Sequence, residues 1–240
     1  MSKPDLFLFH FAGGSCFSYK FMLPYLSRFN TYLPELPGRG QRIRETITDD
    51  IGKATADMLS QVEDKIVPHQ SILFGHSMGA LLAFLVTHEL EKKNRPPRQL
   101  ILCGDPGLGL HHLKKQIFDS PREDFKRELR KMGGVPDAFF DNEQLFNVFE
   151  PILRADMRLA YNMSKLDNIF ITTPIYAIMG TGEDDSVYIH NWAKYTSGRF
   201  GYELMEGDHL FVFQNGQKLA QEIEKLADGN KQRVAELTAP

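Results

Sequence analysis

Cysteine is scarce in this sequence: Cys16 and Cys103 are the only two in 240 residues, and both lie among apolar neighbours. A disulfide framework needs several cysteines, and a thiolate metal site needs them at short spacings. The sequence therefore predicts neither a disulfide scaffold nor a cysteine-held metal. It agrees with a protein of the reducing cytosol.

Long hydrophobic runs are missing as well, since no stretch approaches the roughly 18 consecutive apolar residues of a membrane span. The apolar run in MSKPDLFLFHFAGG is short, is broken by His10, and lacks a basic leader and a small-residue cleavage site. The net charge of −3 at pH 7 gives no reason to expect nucleic-acid binding. We therefore expect a soluble cytoplasmic protein with no membrane and no nucleic-acid partner, and take a monomer as the default.

The composition is that of an ordinary globular protein, with 42% hydrophobic and 25% charged residues and no internal repeats. A chain of this length can bury a full core in one unit. We expect a single domain over residues 1–228, followed by a polar tail over residues 229–240.

Short apolar runs rich in β-branched and aromatic residues alternate with helical patterns along the chain. The predicted strands are DLFLFH, NTYLPE, SILFG, QLILCG, PIYAIMG and GYELME, which begin at Asp5, Asn30, Ser71, Gln99, Pro174 and Gly201. The predicted helices cover 49–66, 77–93, 187–196 and 215–227. Nearly continuous apolar strands are typical of a sheet covered on both faces. The alternation predicts an α/β fold with a doubly wound, mostly parallel sheet.

One long segment, at about residues 107–168, interrupts this alternation with helical periodicity and no convincing strand. In SPREDFKRELRKMGG, we predict Ser120 as the helix cap, Pro121 as the first helical residue and Gly133 as the residue after the last turn. The segment DNEQLFNVFEPILRADMRLAYNM predicts one or two further helices. An insertion of this length is expected to form a lid or an interaction surface.

Ser77 lies in the pentapeptide GHSMG, between a predicted strand and a predicted helix. Strand, sharp turn and helix are the context of a nucleophile elbow, in which flanking glycines such as Gly75 and Gly79 permit a strained turn. The N-terminus of the following helix also favours developing negative charge. A serine of no chemical importance is the alternative, but the context favours Ser77 as a nucleophile.

Eight histidines are candidates for the base that such a serine needs. His88 lies inside a predicted helix, His76 is expected to face away in an elbow of this kind, and His111 and His112 belong to the insertion. His209, in YELMEGDHLF, follows the last predicted strand at the sheet edge that carries catalytic loops. We therefore predict His209 as the general base.

The acid should precede the histidine in the order serine, acid, histidine. The loop after PIYAIMG contains Glu183, Asp184 and Asp185, and a carboxylate there could orient His209 and stabilise its charged form. Spacing alone does not choose among the three.

Two backbone amides are expected to form an oxyanion hole. One is the N–H of Met78, the residue after the nucleophile. The other is predicted at Ala12, in the loop HFAGGSC after the first strand, where small residues let the backbone approach a substrate. A glycine-rich turn without chemical importance is the alternative for that loop.

Five segments in order resemble the motifs of type II thioesterases, the free-standing editing hydrolases of nonribosomal peptide and polyketide assembly lines. These segments are FHFAGGSCFSY, PELPGRGQR, FGHSMGALLAF, LRADM and EGDHLF, and the resemblance runs from about Leu6 to Ala227. It implies an α/β-hydrolase fold with a helical lid insertion. It also implies a serine thioesterase that removes stalled or aberrant acyl groups from the phosphopantetheine arm of acyl- or peptidyl-carrier proteins, with no cofactor and no metal.

The resemblance also selects an acid. The family pattern G-G-x-x-D-P-x-V, laid over GTGEDDSV, places Gly180 and Asp184 in register, so it implies Asp184 as the triad acid. The sequence departs from that pattern at two positions, and counting from Gly182 instead selects Asp185 as the alternative acid.

Two other functions and one surface remain open at this point. A small-molecule carboxylesterase would use the same triad, and a non-catalytic binding protein could share the fold. The lid segment KKQIFDSPREDFKRELRKM carries seven basic and four acidic residues. It could be a docking face for an acidic carrier protein, or an amphipathic helix with solvated charge pairs at i,i+4 spacing.

Overall fold

A six-stranded parallel sheet organises the protein, whose computed structural model describes residues 3–110, 115–133 and 137–229. The strands are β1 (Asp5–Phe9), β2 (Asn30–Tyr32), β3 (Ile72–His76), β4 (Gln99–Cys103), β5 (Ile175–Gly180) and β6 (Phe200–Met205). Their order across the sheet is β2-β1-β3-β4-β5-β6, and every neighbouring pair is parallel. All six predicted strands are present, so the predicted parallel sheet is confirmed.

Helices flank this sheet. Those described are α1 (Ile51–Val62), α2 (Met78–Lys92), α3 (Lys115–Asp119), α4 (Arg122–Met132), α5 (Asp137–Asp141), α6 (Glu143–Ser164), α7 (Phe211–Gln214) and α8 (Gly216–Ala227). The helix predicted over 187–196 is a 3-10 helix that starts earlier, at Asp184–Tyr195. No helix within the described ranges is long and apolar enough to cross a membrane.

The core lies on both faces of the sheet because successive side chains of a strand point to opposite faces. In β3, Leu73 packs in one buried cluster with Phe84 of α2, whereas Phe74 packs in a second cluster with Ile223 of α8. All five residues of β3 are buried. This double burial explains why the strands are apolar at every position and confirms the doubly wound arrangement.

The helices α3 to α6 lie in the segment predicted as an insertion, and we refer to these four helices as the lid. They enclose a third buried cluster. That cluster consists of Phe118, Phe125, Leu129, Phe140, Phe146, Leu153 and Met157. The segment DNEQLFNVFEPILRADMRLAYNM forms one long helix, α6, which continues through Pro151. Its first turn is capped by Asn142 Oδ1, which accepts the Leu145 N–H at 3.0 Å.

The predicted start of α4 is wrong by one residue. Pro121 is the cap of this helix and Arg122 its first residue, while the Ser120 hydroxyl donates to the Ile117 carbonyl at 2.6 Å. Ser120 therefore closes the preceding turn. Gly133 follows the last turn with φ +77°, as predicted. His111 and His112, and residues 230–240 of the predicted tail, lie outside the described residues.

Candidate active site

Ser77 occupies the sharp turn between β3 and α2. Its backbone has φ +55° and ψ −124°, a conformation that a residue with a side chain rarely adopts. The flanking glycines permit it: a Cβ on Gly75 would lie 2.0 Å from the Gly79 oxygen, and one on Gly79 would lie 2.2 Å from the Phe9 oxygen. The Ser77 hydroxyl does not cap α2. It is therefore available above the sheet, as an elbow requires.

His209 lies in the loop between β6 and α7, and its Nε2 is 3.0 Å from Ser77 Oγ. This is hydrogen-bond distance. The two residues are far apart in sequence, but the carboxyl ends of parallel strands meet at one edge of the sheet. The structure thus brings the predicted nucleophile and the predicted base together.

The carboxylate on His209 belongs to Glu183. Glu183 Oε2 lies 2.7 Å from His209 Nδ1, and Glu183 Oε1 accepts the N–H of Gly180 at 2.7 Å. The predicted acid Asp184, and the alternative Asp185, do not occupy this position. Glu183 is the last extended residue before the 3-10 helix, whereas the two aspartates lie in its first turn. The glutamate is therefore placed to reach the imidazole, and the choice of Asp184 is corrected to Glu183.

Backbone hydrogen bonds join two loops: the acid loop, which follows β5 and contains Glu183, and the histidine loop, which follows β6 and contains His209. Thr181 N–H donates to the Met205 carbonyl, and Gly182 N–H donates to the Gly207 carbonyl, both at 2.8 Å. A Cβ on Gly180 would lie 2.5 Å from the Gly207 oxygen. This close approach fixes the separation of the two loops, and with it the distance between carboxylate and imidazole.

The predicted oxyanion donors both line the cavity above Ser77. Met78 is the first residue of α2, so its N–H has no partner within the helix. Ala12 lies in the loop after β1, and its N–H has no hydrogen-bond partner among the residues described. Two amides are thus free to meet an oxygen that approaches Ser77.

Two titratable residues of the site were not predicted to have a place there. His76 was expected to face away, but its buried ring lies 5.0 Å from that of His209, centroid to centroid. Burial, and then the nearby His209, hold the pKa of His76 well below its usual range. Asp105 follows β4 at the same sheet edge, where its Oδ1 accepts the Gly107 N–H at 2.8 Å. Burial raises the pKa of Asp105 to about 7.

A signal for Asp105 was present in the sequence. It directly follows QLILCG, a predicted strand, just as the acid loop and the His209 loop follow theirs. The rule that places functional groups at the carboxyl ends of parallel strands applies to all three.

A cavity of about 460 Å³ opens above Ser77. Its apolar lining comes from the sheet edge, from α2 and from the lid: Ala12, Met78, Leu81, Pro106, Leu110, Met132, Met157, Ala160 and Met179. Its acidic lining consists of Asp105, Glu183, Asp184, Asp185 and Asp208. An apolar chamber that also contains polar side chains is typical of a small-molecule or acyl-chain site.

Ion pairs within the lid engage the basic residues of α4. Arg122 and Lys126 both pair with Glu143 of α6. Two pairs at i,i+3 spacing lie along the helix itself, Arg127 with Asp124 at 2.6 Å and Lys131 with Glu128 at 2.7 Å. This pairing favours the interpretation of the segment as an amphipathic helix with charge pairs over a free basic docking face.

Comparison with known proteins agrees with this geometry. The sequence model of the Thioesterase domain family matches residues 4–227. Linear gramicidin dehydrogenase LgrE of Brevibacillus parabrevis is 30% identical over 236 residues, which cover 91% of this chain and 86% of LgrE. The structure of RedJ, a thioesterase from the prodiginine biosynthetic pathway in Streptomyces coelicolor, is 26% identical with a TM-score of 0.81, over 95% of this chain and 90% of RedJ.

The structure of ClbQ, from the colibactin NRPS/PKS pathway, shares the fold with a TM-score of 0.85. The alignment covers 94% of this chain and 97% of ClbQ, at 24% sequence identity. At this level of identity the chain and ClbQ are two different proteins that share a fold. The α/β-hydrolase fold predicted from the resemblance is confirmed.

The match to the family model extends from β1 to the end of α8, and so includes the serine elbow, the acid loop and the histidine loop. The chain belongs to the thioesterase family, as its five sequence motifs indicated.

Proposed function

We propose that this protein is a serine thioesterase that hydrolyses acyl groups from the phosphopantetheine arm of carrier proteins in a nonribosomal peptide or polyketide pathway. There it removes stalled or aberrant intermediates. The observation that carries the proposal is the hydrogen-bonded chain from Glu183 through His209 to Ser77, which opens on the 460 Å³ cavity. The biosynthetic pathway of the related thioesterase RedJ supports the assignment.

In the first step Ser77 Oγ attacks the thioester carbonyl carbon while His209 Nε2 takes the hydroxyl proton. Glu183 holds the imidazole by Nδ1 and stabilises its positive charge. The amides of Met78 and Ala12 donate to the oxyanion. The carbon–sulfur bond then breaks, and the pantetheine thiol leaves with the proton from His209. A thiol has a pKa near 8.5, so its departure demands little of the general acid.

In the second step water replaces the thiol. His209 takes a proton from the water as its oxygen attacks the acyl-serine carbonyl, and the same two amides stabilise the second oxyanion. The bond to Ser77 Oγ breaks, and Ser77 regains its proton from His209. The products are a free carboxylic acid and the original enzyme. The residues named here account for every proton that moves.

LgrE is named a dehydrogenase, a name that points to another reaction. The Thioesterase domain match over residues 4–227 and the serine–histidine–glutamate chain favour hydrolysis for this protein. The proposed function therefore includes no redox step.

The proposal includes a monomeric enzyme that acts in the cytoplasm on acyl- or peptidyl-carrier proteins. Cys16 and Cys103 are both free thiols, which is compatible with a reducing compartment. The apolar lining of the cavity, contributed partly by the lid, would receive the acyl chain. The carrier protein would remain outside, with its flexible arm reaching Ser77.

The test measures free-thiol release from a panel of acyl-phosphopantetheinyl carrier proteins. The same acyl groups on a nitrophenyl oxygen ester are measured alongside, for the wild type and for Ser77→Ala. We expect thiol release from at least one acyl-carrier, and at least a 1,000-fold loss in the variant, because the nucleophile is removed.

Each other result leads to a different function. Oxygen-ester turnover without any carrier hydrolysis would make the protein a small-molecule carboxylesterase. Binding of acyl-carriers with no turnover of either substrate would make it a non-catalytic member of the fold. Thiol release that persists in Ser77→Ala would exclude Ser77 as the nucleophile.

A further inference from the structure

Two of the five sequence motifs, PELPGRGQR and LRADM, have no part in the chemistry described above. The structure joins them through a buried ion pair between Arg39 and Asp156, which lie 117 residues apart. Arg39 Nη1 lies 2.5 Å from Asp156 Oδ2, and Arg39 Nη2 lies 2.8 Å from Asp156 Oδ1. The side chains are only 2% and 0% exposed, respectively. Asp156 belongs to α6 of the lid.

The same carboxylate also holds the loop after β1. Asp156 Oδ2 accepts the N–H of Gly13 at 2.7 Å. Gly13 directly follows Ala12 and has φ +72°, and a Cβ there would lie 2.6 Å from Leu153 of α6. The peptide plane next to Ala12 is therefore anchored to the lid helix by one charge-assisted hydrogen bond and one close contact.

The other side of this loop is held by His10. Its Nδ1–H donates to the Phe11 carbonyl at 3.0 Å, and its Nε2 accepts the Leu36 N–H at 3.2 Å. Residues 10 and 13 are thus each bonded to a separate segment, at Leu36 and at Asp156, and Ala12 lies between them with no partner for its own N–H among the described residues. The loop has little freedom to reorient that amide.

A buried ion pair contributes little net free energy to the stability of a fold. Removal of two charges from water costs about as much as their attraction returns, and hydrophobic pairs of similar volume are often as stable. The ion pair instead holds the Asp156 carboxylate in one position, where it accepts the Gly13 N–H of the loop after β1. Arg39 also neutralises Asp156, so that no net negative charge lies behind the position where an oxyanion would form.

We propose that Arg39 and Asp156 are positioning residues of the oxyanion hole, which hold the Ala12 amide toward the Ser77 acyl group through the bond from Asp156 to Gly13. The inference rests on the proposed function, since it concerns the same hydrolytic step. It also makes the orientation of the oxyanion amide depend on the lid helix α6.

The test replaces the ion pair by an apolar pair, Arg39→Met/Asp156→Leu, which removes the acceptor for Gly13 without leaving a buried charge. Arg39→Gln/Asp156→Asn keeps a neutral acceptor and serves as the rescue variant. The matched control is Arg42→Met/Asp57→Leu. This change removes the bidentate ion pair between Arg42, the last residue of PELPGRGQR, and Asp57 of α1. That pair makes no hydrogen bond to the loop after β1. Thermal unfolding and circular dichroism verify that each variant is folded.

Two rates are measured: kcat and KM on a nitrophenyl acyl ester, and the rate at which a fluorophosphonate probe labels Ser77. The probe forms a tetrahedral adduct as fluoride leaves, so its rate depends on the oxyanion hole and not on the natural substrate. For the Met–Leu variant we expect kcat and the labelling rate to fall about 10- to 100-fold, while KM stays within about threefold of the wild type. Deletion of an oxyanion-hole donor lowers kcat ~10²- to 10³-fold, and a donor that is only misplaced should cost less. The Gln–Asn and control variants should stay within about threefold of the wild type.

Equal labelling of the wild type and a folded Met–Leu variant would overturn the inference while leaving the proposed function intact. No labelling of the wild-type Ser77 would overturn the proposed function, and the inference with it. If the Met–Leu variant fails to fold, Arg39→Gln/Asp156→Ala removes the same acceptor and carries the same expectation.

Discussion

Glu183 performs two tasks with one side chain. Oε1 accepts the N–H of Gly180 at the end of β5, and Oε2 accepts from His209. The carboxylate is therefore anchored to its own strand and is only 8% exposed, whereas His209 is 38% exposed. A buried, anchored carboxylate can hold the imidazole in one tautomer, with Nδ1 protonated and Nε2 free to accept the serine proton.

We predict that Glu183→Gln lowers kcat about 10³- to 10⁴-fold. The amide keeps the size of the side chain but removes the charge that stabilises the imidazolium, as in other triads in which the acid is neutralised. The measurement is kcat on an acyl-pantetheine thioester, with folding checked by thermal unfolding.

Asp184→Asn provides the matched control, since it neutralises the adjacent carboxylate. Its kcat should stay within about threefold of the wild type. The opposite ranking, with Asp184→Asn inactive and Glu183→Gln active, would restore Asp184 as the acid that the family pattern selects.

The helix α6 connects two separate cores. Phe146 and Leu153, toward its start, belong to the lid cluster. Leu159 and Met163, toward its end, belong to the main cluster against the sheet. A helix shared in this way positions the lid rigidly at one end, while the rest of the lid depends on its own small cluster. Elements with small separate cores open at lower free energy than the whole molecule.

We predict that Phe146→Ala loosens the lid without unfolding the sheet. The loss of a buried phenylalanine costs about 3–5 kcal/mol, and here the cost should appear as faster hydrogen exchange of amides in α4 and the first half of α6. The midpoint of global thermal unfolding should change little. Hydrogen exchange followed by mass spectrometry makes the measurement.

The comparison variant for the lid is Phe84→Ala, in α2 of the main core. There a similar cost should lower the global midpoint and weaken protection in the strands. If Phe146→Ala also lowers the global midpoint to the same extent, the lid and the sheet unfold as one unit, contrary to the prediction.

Across the whole molecule, two titratable groups act on stability in opposite directions: the fully buried His10 and the partly buried Asp105. Burial lowers the pKa of His10 from 6.5 to about 4, so the unfolded chain binds more protons between these values and stability falls as pH falls through that range. Burial raises the pKa of Asp105 from 3.8 to about 7, so the folded protein binds more protons there. The contribution of Asp105 to stability is therefore lost as pH rises from about 4 to 7.

We predict that Asp105→Asn becomes progressively more stable than the wild type between pH 4 and pH 8. The asparagine can still accept from Gly107 and has no proton to lose. The difference in the free energy of unfolding should grow by about 2 kcal/mol, after allowance for the partial exposure of this side chain.

Urea unfolding at a series of pH values measures this difference, and the contribution of His10 cancels because both proteins contain it. A difference that is constant with pH would show that Asp105 is ionised in the folded protein at all these values.

The sequence by itself determined the strands and the place of the sharp turn at Ser77. Continuous apolar runs predicted all six strands, because both faces of a parallel sheet are buried. The pentapeptide GHSMG between a strand and a helix predicted the turn at Ser77, since two glycines at that spacing permit a backbone that other residues cannot adopt. His209 followed from its place after the last strand. Each of these inferences depends on residues that are neighbours in the chain.

The tertiary structure decided which side chains from separate segments of the chain meet, and which titratable groups are buried. Three carboxylates stand side by side in the acid loop, and the start of the 3-10 helix determines that Glu183, rather than Asp184, meets His209. The pKa of Asp105 depends on burial that no local pattern reports. The pairing of Arg39 with Asp156 depends on the packing of the lid over the first loop. Local sequence pattern sets backbone conformation, but only the folded chain brings side chains from separate segments within hydrogen-bond distance.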